Sequence, residues 1–387
     1  MRMSSMIGGL ALVAALNGAA LAQPALPDYY PDTYGEIVEA SRGEGGLVIY
    51  SNMADNNWQP IIAGFREAYP WINVETLDLG SGTVHSRWEA EAGSGSRTAD
   101  ILVSGANDRW ASYGKDGRMM AYDSPEFAHL PDFANPYPGV AVLSADPLVI
   151  TYNAALLPEE QRPSGFAALS AAAVDDKGTF DGRITTYDAA RNSFGLAAWW
   201  AYMNAKGEEG WQHLRAIGPM IRGETSGGPM NEKIATGEYV IGVAVSGITI
   251  FPRLEQPGGE ILGFAFPDDG TIVMLRGLGI PKQAANPNSA KLFVDYALSN
   301  AGQTLLGKGG LVPYRDDVEE SEVRYTYQGI AEQIGADATN WKSAGDRLRE
   351  ILVGPVTEDA LVDEAIQGNP NLQVAFARLA ASRATTG

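Results

Sequence analysis

Residues 47–104 read LVIYSNMADNNWQPIIAGFREAYPWINVETLDLGSGTVHSRWEAEAGSGSRTADILVS. The apolar run Leu47-Val48-Ile49-Tyr50 predicts a buried strand. Trp58, Ile61, Ile62, Phe65 and Tyr69 follow at helical spacing, and Pro70 ends that helix. Residues 72–79 predict a second strand. The loop Gly80-Ser81-Gly82-Thr83 then leads to a helix through Ala92, and residues 99–104 give a third strand. Strands separated by helices imply a parallel sheet with helices on both faces, an α/β fold.

The pattern continues outward. Residues 147–152, 183–187 and 239–245 predict strands, and 193–206 and 229–236 predict helices. A long apolar stretch, 272–280, precedes a helix with Leu292, Phe293, Tyr296 and Ala297 on one face. The tail predicts helices too, with one stripe of Trp341, Leu348, Ile351 and Leu352 and another of Leu372, Phe376, Leu379 and Ala380. At the other end, Arg2, an apolar run over 7–22 and the close Ala20-Leu21-Ala22 have the parts of a secretory signal peptide. The expectation is cleavage near Ala22 and export to a periplasm.

Bulk composition narrows the function. At 387 residues the chain exceeds the size at which one core stops growing, so two lobes are expected. With 28 basic and 47 acidic residues, net charge −19, it lacks the basic stripe that nucleic acid requires. No cysteine and three scattered histidines argue against disulfides, thiol catalysis and a catalytic zinc site. No Gly-x-Ser-x-Gly elbow, His-Glu-x-x-His or Walker loop is present. The motifs call for no catalytic residue, metal or cofactor.

Four loops share one design: small polar residues between a strand and the next helix. They are Ser51-Asn52, Gly80-Ser81-Gly82-Thr83, Arg191-Asn192-Ser193 and Thr225-Ser226-Gly227-Gly228. A helix N-terminus offers unpaired N–H groups and the positive end of its dipole, which together bind anions. Each Ser, Thr or Asn can equally be an ordinary N-cap. Ligands in open α/β sheets sit beyond the carboxyl ends of the strands, where these loops fall. Arg191, before a helix start, is the candidate counter-charge. The competing enzymatic reading is an exported hydrolase using Ser81, with His85 one turn on, or Ser246.

The same segments resemble periplasmic substrate-binding proteins of ABC transporters, in the ferric-ion-binding, organic-anion and phosphonate branch. The resemblance is carried by 47–52, Phe65-Arg66-Glu67-Ala68-Tyr69-Pro70, Asp78-Leu79-Gly80-Ser81-Gly82-Thr83 and Thr98-Ala99-Asp100-Ile101. Asp188-Ala189-Ala190-Arg191-Asn192-Ser193 is similar to the branch's "DPARSGTG" segment, and Gly309-Gly310-Leu311-Val312-Pro313-Tyr314-Arg315 to its "GYLPVR" segment. It implies a type II periplasmic binding fold: lobe 1 at 46–143 plus 275–318, lobe 2 at 144–274 plus 319–387, and a helical C-terminal extension. Strands should cross between the lobes near 143–153 and 264–276. The iron-binding members carry an adjacent tyrosine pair after the strand matching 240–245; here Ser246-Gly247-Ile248-Thr249 stands instead, and Tyr29-Tyr30 lies in the lead-in. A small organic anion is therefore the expected ligand, met by Ser51, Asn52, Ser81, Gly82, Thr83, Arg191, Asn192, Ser193, Thr225, Ser226 and Ser246. The partner is a membrane permease, a monomer is expected, and a ferric site built differently is the alternative.

Overall fold

The computed structural model describes residues 26–189 and 191–333; the expected signal peptide and the two tail stripes lie outside them. The chain runs α1 (Tyr34–Ser41), β1 (Leu47–Ser51), α2 (Asp55–Ala68), β2 (Val74–Asp78), α3 (Ser81–Gly93), β3 (Ile101–Ser104), α4 (Asn107–Asp116) and the long β4 (Val140–Asn153). It continues with α5 (Phe166–Asp175), α6 (Lys177–Phe180), β5 (Ile184–Tyr187), α7 (Ser193–Lys206), α8 (Glu208–Ile217), β6 (Ile221–Glu224) and α9 (Gly227–Ala235). Then come β7 (Ile241–Ser246), α10 (Gly247–Leu254), β8 (Leu262–Ala265), β9 (Ile272–Gly279), α11 (Pro287–Leu298), α12 (Asn300–Lys308) and α13 (Tyr327–Gln333).

The strands follow the order β2-β1-β3-β9-β4-β7-β5-β6, with β8 on β4. Pairs joined by helical crossovers are parallel: β1 with β2 and β3, and β5 with β6 and β7. The expectation of a wholly parallel sheet fails at β4, β8 and β9, whose pairings are antiparallel. The reason is the chain path. It leaves the first group of strands along β4 and returns to it along β9, so the two must run in opposite directions. β4 pairs with β9 over Val140 to Leu148, then with β7 and β8 from Leu148 to Asn153. Those strands occupy the stretches where the crossings are expected, and the result is the two-lobed α/β fold.

Strand alternation sends side chains to both faces. Ile49, Ile101 and Val103 pack with Trp58, Phe65 and Phe293 in one core, while Tyr50 and Leu102 pack with Trp88 and Trp110 in another. Around β5 and β7, Ile184, Ile241, Val243 and Val245 pack with Phe166, Trp199 and Leu214. Helices therefore cover both faces of the sheet around β1 and β3, and the carboxyl ends of β1, β3, β5 and β7 are left to carry polar loops.

Candidate functional site

β1 ends in Ser51, which is fully buried; its Oγ accepts from the Trp58 indole N–H at 2.9 Å, so it braces α2. Asn52, the next residue, turns outward as a connector. Its Nδ2 donates to Ser81 Oγ at 2.7 Å, and its Oδ1 accepts from Arg276 Nη1 at 2.7 Å. Arg276 stands on β9 opposite Ser144 of β4, beside a break in the register between Val142 and Ser144. It pairs with Asp146 at 2.9 Å, with 2% of the arginine and 0% of the aspartate side chain exposed. Ser144 Oγ and the Val312 N–H also donate to Asp146. A continuous polar chain thus runs from the first turn of α3, through Asn52, to the two strands that join the lobes.

A second cluster faces it from β5 and β7. The Ser246 N–H donates to Tyr187 Oη at 3.3 Å. Burial pushes the Tyr187 phenol up to about 12, and the Arg276 charge acts on it in the opposite sense. Gly227, first in α9, lies so close that an added Cβ would sit 2.5 Å from Thr249 Oγ1 and 3.0 Å from Tyr187 Oη. Any side chain here would separate α9 from α10, so the glycine is a packing requirement. Just before Ser246, Ala244 takes φ 53° where the β4–β7 register shifts. Such a bulge re-aims the end of a strand and is common beside functional sites. Ser246 Oγ and Asn231 Oδ1 are buried with no hydrogen-bond partner.

Capping separates the starts of α3, α7, α9 and α10. Asn192 Oδ1 accepts from the Gly195 N–H at 2.8 Å, an ordinary N-cap of α7, and its Nδ2 ties the Thr225 carbonyl at 2.7 Å. By contrast, Gly80, Ser226 and Ser246 provide no side-chain cap to α3, α9 and α10. These first turns keep N–H donors for another acceptor.

The structure therefore brings Asn52, Ser81, Ser246 and the start of α9 toward Arg276 and Tyr187. Gly82, Thr83, Thr225 and Ser226 lie exposed around them, and Ser193 opens α7. Arg191 is 70% exposed and ion-paired with Asp188 at 2.7 Å. The arrangement is poor for serine catalysis. His85 Nε2 bonds Ser104 Oγ at 2.7 Å rather than Ser81, and burial lowers its pKa to about 3. Arg276, Asp146 and Tyr187 are absent from the sequence-derived set. A lone arginine inside the apolar run IVMLRGLG was the available signal, since a buried charge must have a purpose or a partner.

Across the site, Gly105 after β3 touches Phe194 of α7: a Cβ there would stand 2.5 Å from the ring. Phe194 also packs edge-on against Tyr187, with ring centroids 5.2 Å apart. The loop after β3 and the start of α7 are thus held face to face.

Comparison with known proteins bears on the fold and the family. The chain is similar to the substrate-binding protein of an ABC transporter from Agrobacterium tumefaciens, at 24% identity and TM-score 0.69, covering 80% of this chain and 95% of that one. It is also similar to the periplasmic binding protein AfuA from Actinobacillus pleuropneumoniae with fructose-6-phosphate bound, at 23% identity and TM-score 0.60, covering 84% and 98%. A ferric ion-binding protein A from Pasteurella haemolytica shares the fold at 16% identity and TM-score 0.60, covering 84% and 99%. An uncharacterized protein of Haemophilus influenzae is 26% identical over 285 residues, 70% of this chain and 78% of its own. The pattern of the bacterial extracellular solute-binding proteins matches residues 61–331, and with that match the chain belongs to this family.

Proposed function

We propose that the protein captures a small organic anion, a carboxylate, phosphonate or phosphorylated compound, in a cleft between its lobes and delivers it to the permease of an ABC importer. The lobes in this reading are 46–143 plus 275–318 and 144–274 plus 319–387, and the exported, signal-cleaved form works as a monomer in the periplasm. One observation carries the ligand class: the first turn of α3 is tied through Asn52 to a buried arginine, those of α9 and α10 meet at Tyr187, and none of the three has a side-chain cap. Backbone N–H groups and helix dipoles then supply most of the attraction, as suits a chain with net charge −19. The fructose-6-phosphate of AfuA is a ligand of this chemistry. Binding, not turnover, is the activity.

The test is a thermal-shift screen of organic acids, sugar phosphates, phosphonates and neutral sugars. An anion present at 100 times its dissociation constant stabilises the folded state by about 2.7 kcal/mol. Stabilisation by a neutral sugar, with none by any anion, overturns the reading.

A further inference from the structure

Resting on the anion reading, we propose that Arg276, not Arg191, is the charged group that grips the ligand, with Ser246 Oγ closing on it from the other lobe. Arg191 is 70% exposed and already shares its charge with Asp188. A pair so open to water is screened and adds little to binding. Arg276 is the opposite case, with a side chain only 2% exposed.

A guanidinium carries five N–H donors. Nε serves Asp146 and one proton of Nη1 serves Asn52. Three donors, including both on Nη2, have no hydrogen bond among the described residues. These donors are open to an incoming acceptor. The free donors suit a planar or tetrahedral oxyanion taken two oxygens at a time, which an ammonium group cannot reproduce.

Asp146 holds the guanidinium in place without using up its fork, and Asn52 locks the other edge to Ser81 at the α3 terminus. On the facing side, Ser246 is 3% exposed, does not cap α10, and its Oγ has no partner. The Arg276 donors without a hydrogen bond on one side of Tyr187, and the buried, unpartnered Ser246 Oγ on the other, point to a single guest between them.

The experiment titrates the wild-type full chain by calorimetry with inorganic phosphate, citrate, methylphosphonate and fructose 6-phosphate. The tightest of these is then used on Arg276→Lys, Ser246→Ala and Arg191→Ala. The expected result is at least tenfold weaker binding for Arg276→Lys and about threefold to tenfold weaker for Ser246→Ala. Arg276→Lys binding within threefold of wild type, with a tenfold loss in Arg191→Ala, overturns the assignment and leaves the anion reading intact. No binding of any of the four anions to wild type overturns both together. Should Arg276→Lys not fold, the double variant Arg276→Gln/Asp146→Asn, which buries no unpaired charge, carries the same comparison.

Discussion

Asp295, on α11, couples this fold to pH in the opposite sense from an ordinary carboxylate. It is 1% exposed and accepts from Tyr34 Oη at 2.7 Å, Tyr122 Oη at 2.6 Å and Ser124 Oγ at 2.6 Å. Burial, the largest influence, lifts its pKa from 3.8 to about 6; the three hydroxyl donors pull it down only in part, and the Glu126 charge adds to the rise. A folded-state pKa above the unfolded value means that folding favours the protonated acid. The ionised form therefore costs stability, fully above pH 6 and not at all below the unfolded pKa. At 1.36 kcal/mol per tenfold step, the cost is about 3 kcal/mol at pH 7, of which roughly 2 kcal/mol is recovered by pH 4. Other carboxylates lose stability over the same range, so the assay is a difference: urea unfolding of wild type and Asp295→Asn at several pH values. Asn removes the titration but turns an N–H₂ toward a hydroxyl donor, which costs about 1–3 kcal/mol at every pH. Wild type should gain on the variant by roughly 2 kcal/mol between pH 7 and pH 4. A gap that stays constant over that range refutes the reasoning.

Asp146→Asn should destabilise the protein by about 3–5 kcal/mol in urea unfolding, because it leaves Arg276 buried without its counter-charge; a loss under about 1 kcal/mol would mean water reaches the pair. Gly105→Val should hold α7 away from β3 through Phe194. Small-angle scattering would then show a smaller ligand-induced drop in radius of gyration than in wild type, and an equal drop argues against the contact. Ferric citrate should produce no phenolate-to-iron colour; a visible band that disappears on chelation would replace the organic anion with iron.

The start of the fold was legible because its signals are local. Buried strands at Leu47 and Ile101, a helix face built on Trp58 and Phe65, and a stop at Pro70 each depend on residues a few positions apart. The helix over Ser193–Lys206 is readable for the same reason. By contrast, β6 carries the sequence Ile-Arg-Gly-Glu, with no apolar periodicity to announce it. The four loops were recognisable by composition. Whether Asn192 caps its helix while Ser226 and Ser246 do not is a matter of side-chain direction, which composition does not encode.

The sequence by itself therefore determined the alternation of strands and helices, the family resemblance and the loops that gather at the strand ends. The tertiary structure alone decided which strands run antiparallel and which arginine is buried. Arg276 meets Asp146 across 130 residues and Asn52 across 224. Only the passage of β4 and β9 between the lobes makes those three residues neighbours. Arg191 precedes a helix, and folding leaves it in water beside Asp188, where its charge is screened; Arg276 is buried, where its charge is strong.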